Sequence, residues 1–128
     1  MLSGAYFSRM WSIEYTDEFA EWWATLPEAG QEDIDAHVQR LEVRGPNLPF
    51  PCSSGIAGSR HDHMRELRVQ SQGHPLRIFY AFDPRRSAIL LIGGDKTGDD
   101  RFYDRMIPIA DDLYDQHLRD LKAEGLIE

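Results

Sequence analysis

A single cysteine, Cys52, stands in a chain of 128 residues. That scarcity excludes an internal disulfide framework and suits a reducing compartment. Long apolar runs are missing as well, and none approaches the ~20 residues that a helix needs to span a bilayer. The opening stretch MLSGAYFSRMW has no basic segment followed by an apolar one, so no secretory leader is expected and the chain is placed in the cytoplasm. Positive charge is in short supply: 14 Lys/Arg face 22 Asp/Glu, for a net charge of −8. A negative molecule repels phosphate at long range, which counts against a nucleic-acid enzyme unless the charge is uneven.

It is uneven. Residues 1–59 carry 3 basic and 9 acidic side chains, residues 60–105 carry 9 and 7, and residues 106–128 carry 2 and 6. The balances are −6, +2 and −4, so the middle is the one basic segment, and a local group of arginines holds phosphate at short range whatever the total charge. With 41% hydrophobic and 28% charged residues, the chain has the balance of an ordinary globular protein, and its length suits a single domain over 1–128.

Trp11, Ile13 and Tyr15 alternate with Ser12, Glu14 and Thr16, the pattern of a half-buried strand. Thr16 or Asp17 caps a helix in which Phe19, Trp22, Trp23 and Leu26 recur at helical spacing, as core residues do. Pro27 opens a second helix that runs to about Arg44, with Ile34, Val38 and Leu41 as its apolar stripe, ended by Gly45-Pro46. Residues 45–63 are rich in Pro, Gly and Ser and read as a loop. Cys52, His61 and His63 lie in it, but their spacing matches no closed zinc template and a lone cysteine leaves such a site short of ligands. No metal and no cofactor are therefore expected. His61 or His63 is a candidate proton donor at the mouth of a site.

Three strands follow: 64–70, with Leu67 and Val69 on one face and Glu66 and Arg68 on the other; 76–83, apolar enough to be central; and 87–92. Turns lie at 71–75, where Gly73 supplies positive φ, and at 83–86. GGDKTGDD then reads as a glycine-rich loop leaving the sheet, and a last helix runs from about Asp99 toward Lys122, broken or restarted at Pro108. The order β-α-α-β-β-β-α defines an α+β sandwich with one sheet face covered by helices.

If 71–75 closes a hairpin, Arg68 and Arg77 are neighbours, and Lys96 leaves the next strand at the same end. Three cations then converge on one phosphate, with Tyr103 at the start of the last helix close enough to orient a nucleophile or stack on a base. RNA cleavage by the 2′-hydroxyl needs a base, cations for the extra phosphorane charge and an acid for the leaving oxygen. Without a metal, Arg and Lys must stabilise that charge. The GGDKTGDD segment lacks the register of a nucleotide-binding P-loop, and its aspartates repel a triphosphate.

The segments ELR at 66–68, LRIFYAFDP at 76–84 and AILLIGGDKT at 88–97 resemble the RelE/ParE superfamily of toxins, in its HigB-like branch. The resemblance covers nearly the whole chain. It implies a RelE-like fold with a small, mainly antiparallel twisted sheet, and a type II toxin–antitoxin toxin that cleaves mRNA, typically on the ribosome. It also implies a HigA-like helix-turn-helix antitoxin, through which the complex binds operator DNA. Carried onto this sequence, Arg68 and Arg77 match the basic residues of the first two meander strands, Lys96 the basic residue after the last, and Tyr103 the aromatic position of the closing helix. Glu66 falls where some relatives place a basic residue, and so reads as a base or as an orienter of Arg68. This chain departs from its relatives in being acidic and in keeping Lys96 alone among aspartates. A ParE-like gyrase poison and a non-catalytic interaction protein are the competing readings. The antitoxin docks on an apolar sheet face or on the acidic helices, covering the cations or displacing the closing helix.

Overall fold

The computed structural model describes residues 10–128. The reading that the chain opens without a secretory leader falls largely on residues 1–9, outside those described. The elements run β1 (Ile13–Tyr15), α1 (Asp17–Ala24), α2 (Glu28–Arg44), β2 (Ser53–Gly55), β3 (Arg65–Ser71), β4 (His74–Phe82), β5 (Ala88–Asp95) and α3 (Phe102–Ala123). The strands form one sheet in the order β1-β5-β4-β3-β2, antiparallel except for β1, which pairs parallel with β5. The expected α+β architecture is the one observed. Among the described residues no helix is long and apolar enough to cross a membrane.

Local chemistry explains the helix ends. The Thr16 hydroxyl oxygen accepts from the Phe19 N–H at 2.9 Å and its O–H donates to the Leu91 carbonyl at 2.7 Å, so one side chain caps α1 and ties it to the sheet. Pro27 precedes α2, and Gly45 ends it at φ +55°, directly beneath the Trp11 ring, where no side chain fits.

Central strand β4 divides the core by its alternation. Leu76, Ile78 and Tyr80 pack with Phe19, Ile34, Leu41 and Leu67 under α1 and α2. Phe79 and Ala81 point the other way and pack with Phe102, Met106, Ala110 and Tyr114 of α3. Helices therefore cover both faces, which corrects the expectation of one covered face and removes the bare apolar sheet face as a docking surface. The reason is stoichiometric: β4 and β5 are apolar at nearly every position, and each side of such a strand must be buried.

Three further expectations are corrected. The segment 45–63 is not all loop, since Ser53–Gly55 pairs with Arg65–Leu67 and the Ser53 hydroxyl bonds the buried Tyr80 hydroxyl at 2.6 Å. The last strand does not end at Ile92 but runs through Gly93 and Gly94 to Asp95. Those glycines serve packing: a Cβ at Gly93 would fall inside the ring of Trp22, and one at Gly94 would lie 2.8 Å from Phe102. Finally, α3 passes through Pro108 without a break. Pro108 lies on the exposed side of α3, where water can take the carbonyl freed by its missing N–H.

Candidate active site

The β3–β4 hairpin builds the site. Gln72 and Gly73 take φ +49° and +83°, the pair of left-handed residues that a tight two-residue hairpin requires. The register that follows sets Arg68 directly opposite Arg77, as the sequence implied. Like charges facing each other across strands are unfavourable, and Glu66 offsets them from the same sheet face. Glu66 is 4% exposed. One oxygen accepts from the Tyr103 hydroxyl at 2.7 Å, the other from the Ser54 hydroxyl at 2.8 Å. The guanidinium groups stand farther off: Arg77 Nε lies 3.7 Å from one oxygen and Arg68 Nη1 3.8 Å from the other.

Arg77 is 6% exposed. It donates from Nη1 to the Leu76 carbonyl at 3.0 Å, while its buried Nε–H has no hydrogen-bond acceptor. A buried donor without a partner is costly and uncommon in folded proteins. Arg68 lies over the exposed ring of Phe50, 5.1 Å from its centroid, and is a third exposed. Lys96 donates its backbone N–H to the Pro75 carbonyl at 3.0 Å and holds its ammonium 5.3 Å from the Tyr103 ring centroid. Burial, reinforced by the hydrogen bond to Glu66, pushes the Tyr103 hydroxyl above the usual tyrosine range, so Tyr103 stays a proton donor. All five residues singled out in the sequence are thus linked by contact: Lys96 to Tyr103, Tyr103 to Glu66, and Glu66 to Arg68 and Arg77. Beside them lies a cleft of about 280 Å³ lined by His37, Pro51, Cys52, Arg68, Gln70 and Arg77.

Other expected residues lie elsewhere. His61 bonds Asp115 and His63 bonds the Tyr114 hydroxyl, in the second half of α3, where Tyr114 donates to the carbonyl at the far end of β4. Neither histidine belongs to the group around Glu66. Cys52 instead lines the cleft beside Arg40, 4.0 Å from its Nη1. Among the described residues no three His, Cys, Asp or Glu side chains are grouped as metal ligands. Ser54, Phe50 and His37 carry no signal in the sequence. Ser54 is legible only once β2 is known to pair with β3, and His37 reaches the cleft from another layer. A further cavity, about 430 Å³ between β1, α1 and α2, is lined mainly by apolar side chains such as Phe19, Trp23 and Val38.

Comparison with known proteins places the chain in a family. Residues 21–115 match the family model described as phage derived protein Gp49-like (DUF891). The chain belongs to that family and groups with the HigB proteins described next, and its fold is RelE-like. Two similar proteins come from Mycobacterium tuberculosis (strain ATCC 25618 / H37Rv). "Putative toxin HigB2" is 38% identical over 110 residues, which are 84% of this chain and 54% of that protein. "Putative toxin HigB3" is 42% identical over 91 residues, 70% of this chain and 78% of that protein. This chain thus spans about half the length of HigB2. Among solved structures, an arginine-to-alanine double mutant of E. coli toxin RelE in the free state superposes with a TM-score of 0.56 at 8% identity, over 76% of this chain and 95% of that one. At that identity the likeness shows the fold alone.

Proposed function

We propose that the chain is the toxin of a type II toxin–antitoxin pair and an endoribonuclease that cuts mRNA on the ribosome. The observation that carries this reading is the juxtaposition of Arg68 and Arg77, which stand opposite each other, share one carboxylate and line one cleft. A phosphate in that cleft meets the two guanidiniums together. Charge-assisted bonds from two guanidiniums then grow stronger as the phosphorane gains charge, which is the differential stabilisation that catalysis needs. Lys96 adds a third positive charge and, through its contact with the ring, holds Tyr103 in place. Tyr103 keeps its proton and orients the substrate or Glu66. Glu66 acts as the positioning residue, because both of its oxygens are already occupied by hydroxyl donors.

A HigA-like antitoxin silences this site, either by inserting carboxylates against Arg68 and Arg77 or by displacing α3, which carries Tyr103. The first mode has the better chemistry, since an inserted carboxylate meets the same pair of guanidiniums that a phosphate would. The test is to add the purified, antitoxin-free chain to a translating extract and map mRNA ends by primer extension. New ends with the wild type that vanish with Arg77→Ala support the reading. Intact mRNA refutes it, and accompanying DNA breaks would identify a gyrase poison instead.

A further inference from the structure

The cleft has a wall to which the five residues of the site contribute nothing. His37 stands on α2, between Ile34 and Leu41, which anchor that helix in the core. From there it reaches the cleft that Arg68 and Arg77 line from the sheet. Its ring is held in one tautomer. Nδ1 lies 2.9 Å from the Asp33 carbonyl oxygen, which can only accept, so Nδ1 carries the hydrogen. In the neutral ring the lone pair is then on Nε2. Nε2 faces Nη1 of Arg40 at 3.3 Å, a group that can only donate. Charged groups near His37 include Asp33 and Arg40 on its own helix and Arg68 and Arg77 across the cleft, which the Cys52 thiol also lines. Arg40 is exposed and free to leave Nε2 when another donor arrives.

A fixed Nδ1–H and an available Nε2 lone pair, beside two phosphate-seeking guanidiniums, form the arrangement that a general base for a 2′-hydroxyl requires. We propose that His37 is the general base of RNA cleavage, an assignment that rests on the nuclease reading above. The 2′ O–H bond breaks and its proton passes to Nε2. The 2′ oxygen bonds to phosphorus while the bond from phosphorus to the 5′ oxygen breaks. That oxygen leaves with its electron pair and takes a proton from water. The products are a 2′,3′-cyclic phosphate and a 5′-hydroxyl end. The Asp33 carbonyl holds the imidazolium formed in the step by its Nδ1–H, and Arg40 returns to Nε2 after the proton is lost.

The experiment is single-turnover cleavage of ribosome-bound mRNA by wild type, His37→Gln and His37→Ala across about pH 5 to 8.5. It is run beside binding of the same mRNA bearing a 2′-O-methyl group at the scissile position. His37 is half-buried on α2, and a thermal melt of each variant verifies that it folds. The expected result is a rate loss of about 100-fold or more in both variants, disappearance of the limb that rises with pH in the wild type, and unchanged binding. Rates within about threefold of wild type, with the rising limb intact, overturn the assignment, as does a loss accounted for by weaker binding. If a substrate with sulfur in place of the 5′ leaving oxygen restores the variants, His37 serves as an acid and the base assignment is wrong. A wild type that cuts nothing overturns the nuclease reading and this proposal with it, whereas cutting that persists in His37→Gln overturns this proposal alone.

Discussion

Glu66→Gln separates what the buried carboxylate does for stability from what it does for phosphate. The amide keeps the shape of the side chain and can still meet the Tyr103 and Ser54 hydroxyls, one as acceptor and one as donor, so the change is chiefly one of charge. Arg77 stands 3.7 Å from the carboxylate and both are almost fully buried. With an effective dielectric of about 20, the pair attracts by roughly 4 to 5 kcal/mol, in line with the ~3–5 kcal/mol measured when one partner of a buried pair is removed. Arg68 is a third exposed, so its share is below ~1 kcal/mol. The retained hydroxyl bonds return part of the loss, leaving a destabilisation of about 2–4 kcal/mol and a fall in Tm on the order of 10 °C. The charge of the site rises by one unit, so binding of a 2′-O-methyl RNA tightens several-fold at low salt and depends more steeply on salt. Cleavage falls about 10-fold or more, because the guanidiniums lose the group that positions them. Differential scanning fluorimetry and fluorescence anisotropy of a labelled RNA read both effects. An unchanged Tm together with unchanged or weaker RNA binding would refute the account of Glu66.

Gly93→Ala places a methyl group in the Trp22 ring and should cost about 1–3 kcal/mol in a urea melt, with Trp22→Leu restoring part of it. Alkylation of Cys52, the cleft's thiol, should slow cleavage, and bound RNA should protect the thiol in a mass-spectrometric assay. In alkaline solution Tyr114 dominates: burial first, and the nearby Asp83 carboxylate second, push its hydroxyl up to about 12. The folded state therefore holds a proton that the unfolded chain releases from about pH 10, and stability falls as pH rises through that window. Tyr114→Phe should flatten this fall in a denaturation series. In acid the reverse group is Asp83. Burial alone would raise its carboxyl, but hydrogen bonds from Arg85 and His117 outweigh it and hold the group below the usual range. Its stabilisation is present above the unfolded carboxylate range and is lost as pH falls below it, a loss that Asp83→Asn should remove from the acid limb.

Much of this arrangement was legible in the sequence where one periodicity acts alone. The alternation of Glu66-Leu67-Arg68-Val69 and the turn at Gly73 fixed which side chains share a face, and so brought Arg68 opposite Arg77. What the sequence hid depends on partners distant along the chain. Gly93 and Gly94 look like a loop, yet they lie in a strand because Trp22 and Phe102 occupy the space that side chains would take. Ser53–Gly55 lacks an apolar alternation, and its strand exists because β3 offers an edge. The opposite placement of α3 follows from Phe79 and Ala81, which lie in the apolar run Ile78–Phe82 whose composition assigns neither side chain to a face. Ser54 joined the site only through the β2–β3 pairing and His37 only through the packing of α2, while His61 and His63, near the motif in sequence, are drawn away by Asp115 and Tyr114.

The central claim, that Arg68 and Arg77 hold a phosphate for cutting, is tested most directly in cells. Wild type and Arg77→Ala are induced from a tight promoter, growth is followed, and mRNA ends are mapped by primer extension. The account predicts arrest with new mRNA ends for the wild type and neither for a soluble, folded Arg77→Ala. Arrest and identical mRNA ends in both strains would contradict it.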